Sequence, residues 1–285
     1  SQEQMVHAFG IAYSQAAGNR QCIVDGALTK RFQAGQAAHG AVLAAFLAKE
    51  GFTGAENVFA GTYGFFHMYQ PDGYDLSLID AGLGEEFLGD RISLKPYPCG
   101  RPTHSYIDSA VKLHHKLDLG RNALESVTVR TDRETFTSRY SVSSGVVRPT
   151  QQVEAQFSLP YLIGCALVLG GVGIDEINSF DEPAVLAASD LVKAETKDGT
   201  PKGWAEIQVV CAGGDSATVE LQPPSGSPDN PLSTEQLKDK FRDCAAHALH
   251  PTPISSVEKM IALILDSDGA GDSRELIDLS VSREN

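Results

Sequence analysis

The spacing of apolar residues predicts helices in the first part of the chain. Residues 3–17 and 35–50 both place apolar side chains at helical intervals, and each run is followed by a glycine. Thr53 and Glu56 form a capping-box pattern, which predicts a shorter helix over 54–60. The alanine and glycine content of 35–50 would let neighbouring helices approach closely, as they do inside an all-helical domain.

From about residue 91 the pattern changes to strands mixed with helices. Alternating apolar and polar positions predict strands over 126–132 and 135–142, and AEIQVVCAGG followed by SATVELQP predicts a hairpin. Helical spacing predicts three helices in this region: 103–117 with Thr103 as N-cap, 151–169 with a kink or break at Pro160, and 181–196.

The order of these elements predicts an α+β fold in which an α/β domain is inserted into a mainly helical one. The helical domain is expected over 1–91 and again over 231–285, and the α/β domain over 92–230. The turn-rich segment 223–231 is interpreted as a linker. Further helices are predicted over 233–249, 254–266 and 272–280.

Charge and cysteine content narrow the class of protein. Lys and Arg number 23 against 37 Asp and Glu, and the net charge of −14 argues against a nucleic-acid-binding protein. No apolar run approaches the roughly eighteen residues that a membrane span needs, and residues 1–10 do not resemble a secretory signal. The five cysteines are widely spaced and form no CxxC pair, which favours a cytoplasmic protein without a disulfide framework or zinc site.

Two segments without acidic residues stand out against this anionic background. The first lies between Asp25 and Glu50 and has Lys30 and Arg31 in its central part. The second lies between Asp90 and Asp108 and contains Arg91, Lys95, Arg101 and His104. Both segments are predicted to lie just before a helix, where free backbone N–H groups favour an anion. Arg can bind a carboxylate through two parallel hydrogen bonds, and Lys acts as a point charge. Two interpretations stay open: ordinary solvated basic loops, or one site for a di- or tricarboxylate.

Motifs along the whole chain resemble, in the same order, those of the MmgE/PrpD family. They are HAFGIAYSQAAG at 7–18, GALTKRFQAGQAAHGAVLAAFLAKEGFTGAENVFAG at 26–61, SLKPYPCGRPTHSYIDSA at 93–110, QFSLPYLIGCALVLGG at 156–171 and SPDNPLSTEQLKDKFRDCA at 227–245. The resemblance implies a helical domain interrupted by a smaller α/β lid domain. It also implies a lyase that dehydrates or decarboxylates a small di- or tricarboxylate, or alternatively an epimerase of a dicarboxylate such as iminodisuccinate. No metal or organic cofactor is implied.

Roles for individual residues follow from the same resemblance. It implies that Lys30, Lys95 and His104 are catalytic, the lysines holding carboxylates and stabilising a carbanion-like intermediate while His104 relays a proton. Lysines from two distant stretches would then meet in a single pocket. Substrate-binding roles are implied for Arg31, Gln33, Tyr97, Arg101 and Thr103.

The chain departs from the family pattern in two respects. Where many members read Lys-Arg-Leu-His-Ala-Gly-Arg, Gln33 and Gln36 replace the histidine and the last arginine. The family's Gly-[Trp/Phe]-His-x-Thr motif would lie upstream of residue 1, so we expect an N-terminal half to complete the site. A homodimer, or a heteromer with such a half, is therefore expected to cover exposed apolar helix faces. Both glutamines also favour a third interpretation, a non-catalytic accessory subunit.

Overall fold

The chain folds into two compact units, Ser1–Leu88 and Gly89–Asn285. The computed structural model describes residues 1–25, 27–137, 146–178, 180–266 and 273–281. The first unit is helical, and the second combines helices with a four-stranded sheet, so the predicted α+β class is confirmed.

The described part of the first unit is built around two packed helices. Ile11 on one of them is buried against Ala44 and Ala48 on the other, and these small side chains allow the close approach that the composition predicted. Its helices are α1 Gln2–Ser14, α2 Gln21–Val24, α3 Thr29–Lys49, α4 Phe65–Tyr69 and α5 Ser77–Asp80.

The helix predicted over 54–60 is wrong, because these residues form irregular backbone and turns. The cause is close packing of this backbone on α1. A β-carbon on Gly54 would lie 2.4 Å from the carbonyl oxygen of His7, and one on Gly10 would lie 2.3 Å from that of Ala55. Contact between the two backbones therefore overrides the local capping-box pattern.

Helix α3 begins earlier than the sequence pattern predicted. It starts at Thr29, so Lys30 and Arg31 lie in its first turn and not in a turn that precedes it. No proline separates Thr29 from Gly35, and a single glycine inside a helix costs only about 1 kcal/mol. The helix therefore extends through Gly35 toward its N-terminus.

In the second unit, a four-stranded sheet packs against helices. The strand order is β2-β1-β3-β4, with β2 parallel to β1 and the other neighbours antiparallel. The strands are β1 Leu124–Thr131, β2 Val192–Thr196, β3 Ala205–Cys211 and β4 Ser216–Glu220. The helices are α6 His104–Lys116, α7 Arg133–Thr137, α8 Gln152–Phe157, α9 Leu159–Leu169, α10 Ile174–Asn178, α11 Pro183–Asp190, α12 Thr234–Ala246, α13 Ile254–Asp266 and α14 Ser273–Ser280.

The core of the second unit lies between the sheet and helices α6 and α9. Val127 and Ile207 from the sheet, Ile107 from α6 and Leu162 from α9 are all fully buried in it. Burial of each such side chain stabilises the fold by about 1.5–3 kcal/mol. Within the described ranges, no helix has the length and apolar character to cross a membrane.

The break that Pro160 predicted is confirmed. Helix α8 ends at Phe157 and α9 begins at Leu159, so Pro160 lies in the first turn of α9, where its missing N–H removes no helical hydrogen bond. The hydroxyl of Ser158 caps this helix by accepting a hydrogen bond from the backbone N–H of Tyr161 at 3.2 Å.

Two other predictions in this unit need correction. Residues 181–196 are helical only as far as Asp190, and Val192–Thr196 pairs in parallel with β1 instead, because that pairing supplies backbone partners and apolar contacts. Of the strand predicted over 135–142, residues 135–137 belong to α7 and the remainder lies outside the described residues.

The predicted hairpin and the last three predicted helices are confirmed. Ser233 caps α12, and its hydroxyl accepts a hydrogen bond from the Gln236 backbone N–H at 3.2 Å. Val257 and Met260 of α13 are buried against neighbouring helices. That residues 231–285 return to the helical domain stays a prediction.

Candidate functional site

The Lys-Pro-Tyr-Pro segment forms a turn directly before α6. The Lys95 ammonium donates to the carbonyl oxygen of Cys99 at 3.1 Å, which closes the turn. The backbone N–H of Gly100 donates to the Gln156 carbonyl at 2.9 Å and so anchors the turn on α8. Lys95 itself is exposed, so its ammonium combines a fixed position with access to solvent.

Thr103 does not act as the side-chain N-cap that the sequence predicted. Residues Arg101–Thr103 form one turn of 3-10 helix, and the Thr103 side chain makes no capping hydrogen bond to α6. The fully buried Thr103 hydroxyl donates backwards to the carbonyl of Gly100 at 2.7 Å and lies 3.3 Å from the Cys99 sulfur. The hydroxyl stabilises the preceding turn and not the helix end, because the 3-10 turn continues directly into α6.

His104 and Arg101 present buried nitrogens that have no hydrogen-bond partner among the described residues. They are Nδ1 and Nε2 of His104 and Nε and Nη1 of Arg101. His104 is 0% exposed, and the ring of Tyr97 meets it edge to face with centroids 5.2 Å apart. A buried polar group without a partner costs about 1–3 kcal/mol, so a site that leaves several in one place is suited to a hydrogen-bonding ligand.

The same surroundings keep the His104 imidazole neutral. Burial lowers its pKa from 6.5 to about 4, and the Arg101 guanidinium and the Lys95 ammonium act in the same direction. The backbone of Cys99 opposes this shift in part, although it forms no hydrogen bond with either ring nitrogen. A carboxylate bound beside these cations would favour the protonated ring, so binding of such a ligand would be coupled to proton uptake.

Sequence reasoning missed two residues that adjoin this cluster, Asp108 and Cys99. The Tyr97 hydroxyl donates to Asp108 Oδ1 at 2.6 Å, and burial, followed by this bond, raises the pKa of Tyr97, so the phenol stays protonated. Burial raises the pKa of the Cys99 thiol to about 11, which makes it a poor nucleophile. The available signals were that Asp108 ends the acid-free segment and that Cys99 directly follows the Lys-Pro-Tyr-Pro motif.

Three predicted site residues lie on α3 of the first unit. Lys30 is half-buried and Arg31 is exposed. The Gln33 amide accepts from the Asn19 backbone N–H at 2.9 Å, donates to the Asn19 carbonyl at 3.0 Å and lies 3.2 Å from the Cys22 sulfur. Gln33 therefore fixes the loop between α1 and α2, whereas the resemblance implied that this side chain binds substrate.

A cavity of about 720 Å³ lies in this first unit between α1, α3 and the loop that joins α1 to α2. Alanine is the most frequent residue in its walls, and Phe32, Gln33 and Gln36 are among the larger side chains. Of the described residues that line it, Asp25 is charged and none is Lys or Arg. The cavity is therefore poorly suited to an anion.

No three His, Cys, Asp or Glu side chains in the described part of the chain are placed to hold a metal ion. The His247 ring instead bonds to Asp175 Oδ1 at 3.0 Å and to the Asp243 carbonyl at 2.9 Å, which ties α12 to α10.

The structure thus places the predicted site residues in two groups. One group surrounds the start of α6: Lys95, Tyr97, Arg101, Thr103 and His104. The other group lies at the start of α3: Lys30, Arg31 and Gln33. That both groups act on one substrate stays a prediction.

Comparison with known proteins covers both units. Residues 97–264 match the MmgE/PrpD C-terminal domain and residues 1–76 match the MmgE/PrpD N-terminal domain. The chain is 26% identical over 290 residues to the cis-aconitate decarboxylase-like protein oryM of Aspergillus oryzae, covering 95% of this chain and 58% of that protein.

Two further relatives carry related names. The cis-aconitate decarboxylase of Aspergillus terreus is 25% identical over 298 residues, covering 97% of this chain and 59% of that enzyme. The cis-aconitate decarboxylase of Homo sapiens is 26% identical over 255 residues, covering 84% of this chain and 50% of that enzyme. The chain therefore spans between 50% and 59% of the length of these three relatives.

Proposed function

The chain belongs to the MmgE/PrpD family, and from that premise we propose that it acts in a lyase that removes carbon dioxide or water from a small di- or tricarboxylate. The observation that carries the proposal is the set of buried nitrogens of Arg101 and His104, close to Lys95, that have no hydrogen-bond partner in the described part of the chain. In a chain with a net charge of −14, a local group of cations is suited to an anionic ligand. The cis-aconitate named in several relatives is itself a tricarboxylate.

Carboxylate binding would use the two cations differently. The Arg101 guanidinium can offer Nε and a terminal nitrogen to both oxygens of one carboxylate, which fixes its orientation. The Lys95 ammonium, held by the Cys99 carbonyl, would supply charge where a carbanion-like intermediate develops. Because these groups are already in position, little reorganisation would accompany the reaction.

His104 would move the proton. A neutral imidazole can accept a proton from the carbon next to a carboxylate, which is the step that dehydration and epimerisation share. In decarboxylation the C–C bond to the departing carboxylate breaks, its electron pair stays on the substrate, and a proton must then be added. His104 could add that proton only after taking one up when the anionic substrate binds.

Turnover of defined substrates would test the proposal. The chain is incubated in D₂O with cis-aconitate or 2-methylcitrate, and the products are followed by NMR. Release of carbon dioxide, or formation of the unsaturated product of dehydration, supports a lyase. Lys95→Met should abolish that turnover while circular dichroism shows unchanged helix content, because Lys95 is exposed and contributes little packing.

Lys116→Met is the matched control, since Lys116 is an exposed lysine at the far end of α6. This variant should turn over substrate at the wild-type rate. Full activity of Lys95→Met would remove Lys95 from the mechanism, and equal loss in both variants would mean that general charge, not the site, matters.

Two other functions each have a distinct signature. An epimerase would exchange deuterium into a dicarboxylate such as iminodisuccinate and invert its configuration without an elimination product. A non-catalytic accessory subunit is favoured by Gln33, whose amide is fully engaged by Asn19 and Cys22. It would show no turnover alone and would raise the activity of a catalytic partner.

We also propose a protein partner, either a second copy or a chain that provides the N-terminal half of a family member. The supporting observation is that α1 and α3 carry strongly exposed apolar side chains: Phe9 is 50% exposed, Phe46 62% and Val42 57%. Such surfaces commonly mark interaction sites. Native mass spectrometry measures the assembly directly, and a stable monomer at micromolar concentration would contradict the proposal.

A further inference from the structure

A pair of hydrogen bonds on Asp108 joins the Lys-Pro-Tyr-Pro turn to a turn far along the chain. Asp108 Oδ1 accepts from the Tyr97 hydroxyl at 2.6 Å, and Oδ2 accepts from the backbone N–H of Ser225 at 2.7 Å. Because the two oxygens serve different segments, this single carboxylate fixes the distance between them. We refer to Tyr97, Asp108 and Ser225 as the Asp108 clamp.

The distal turn is itself held tightly. The Gly226 carbonyl accepts from the backbone N–H of Leu94 at 2.7 Å, and the Gly226 N–H donates to the carbonyl of Asn230 at 2.8 Å. The Asn230 side chain donates back to the Pro223 carbonyl at 3.0 Å. The segment interpreted from the sequence as a linker is therefore an ordered support for residues 94–97.

The clamp reaches the candidate site through one aromatic contact and one short stretch of backbone. The ring of Tyr97 packs edge to face on His104, and Lys95 precedes Tyr97 by two residues in the same turn. Asp108 also lies one helical turn after His104, on the same face of α6. Movement of Tyr97 would therefore displace both the imidazole and the turn that carries the ammonium.

We propose that Asp108 is a positioning residue, which holds Lys95 and His104 in place for a carboxylate through Tyr97 and the turn at Ser225. This inference rests on the proposed function of the site. Asp108 would not touch the substrate, since each of its oxygens already accepts a hydrogen bond from the protein. Partly buried supporting residues of this kind determine how accurately a charged ligand is held.

The chain offers two informative variants and a close control. Asp108→Ala removes the carboxylate and with it both bonds of the clamp, because an alanine side chain can accept neither the Tyr97 hydroxyl nor the Ser225 N–H. Tyr97→Phe removes the hydroxyl that donates to Asp108 but keeps the ring that packs on His104. Lys112→Gln changes an exposed residue that lines the adjoining cavity of about 330 Å³ without touching the clamp.

Binding of citrate, measured by isothermal titration calorimetry on the full chain, is the first readout. Asp108→Ala and Tyr97→Phe should each weaken the affinity roughly tenfold, and the double variant should be no weaker than Asp108→Ala alone, because removal of the carboxylate already breaks the bond to Tyr97. Lys112→Gln should bind citrate as the wild type does. Additive losses in the double variant would overturn the clamp as a unit.

Hydrogen–deuterium exchange of the unliganded chain is the second readout. Peptides covering 90–100 and 222–230 should exchange faster in Asp108→Ala, while circular dichroism shows retained helix content. Faster exchange with unchanged citrate affinity would overturn the positioning role and leave a purely structural one. Unchanged exchange would overturn the clamp itself. If the wild type binds no citrate, the carboxylate site fails and the positioning role with it, whereas the exchange result still reports on the clamp.

Discussion

The buried neutral imidazole of His104 makes the stability of the fold depend on pH. The ring has a pKa of about 4 in the folded chain, whereas 6.5 is the ordinary value expected after unfolding. Between these two values the unfolded chain binds more protons than the folded chain, so the free energy of unfolding rises with pH. The contribution is fully present above about pH 6.5 and is lost as the pH falls toward 4.

The magnitude follows from linkage between the two pKa values. The difference corresponds to about 3 kcal/mol in total, and roughly 2 kcal/mol of it should be lost between about pH 7.5 and about pH 5. Such a loss is a large fraction of the stability of a typical domain. Full burial of His104 justifies the conversion, since solvent screens its charge little.

Urea unfolding of the wild type and of His104→Gln, followed by circular dichroism at a series of pH values, isolates this contribution. Gln cannot titrate, so the difference in unfolding free energy between the two proteins should shrink by roughly 2 kcal/mol from about pH 7.5 to about pH 5. His115→Gln, at an exposed histidine of the same helix, controls for loss of an imidazole. Parallel curves for wild type and His104→Gln over this range would refute the reasoning.

Two further substitutions test the packing described above. Gly226→Ala should lower the unfolding free energy by at least about 2 kcal/mol, because φ at this residue is +82° and the new β-carbon would lie 2.0 Å from the Leu94 carbonyl oxygen. A change below about 0.5 kcal/mol in chemical denaturation would contradict that close approach. Leu162→Ala should cost about 2–5 kcal/mol by leaving a cavity in a fully buried position of α9, and an unchanged thermal midpoint would mean that the core is packed differently.

The sequence predicted those elements whose signal is repeated over many residues. Strands β1 and β3 alternate regularly, and the break at Pro160 has a local steric cause, so both were predictable. Strand β2 was missed because Val192–Thr196 gains its stabilisation from pairing with β1, which local spacing does not contain. The false helix over 54–60 has the same origin, since backbone contact between Gly54 and α1 outweighs a capping pattern.

The candidate site was likewise predictable only in part. The charges of Lys95, Arg101 and His104 stood out along the chain because acids are absent around them, and the structure brings their segment together at α6. The environment of each group could not be predicted. Burial of His104 depends on the ring of Tyr97, and the partners of Asp108 come from opposite ends of a long stretch of sequence.

The bond between Asp108 and Ser225 joins residues 117 positions apart, and all four strands of the sheet lie between them. During synthesis on the ribosome, this bond cannot form until Ser225 has been translated and has left the exit tunnel. Closing so long a loop also carries an entropic cost that shorter-range contacts of α6 do not. The nascent chain must therefore carry the lysine–histidine segment without its final support while most of the second unit is being made.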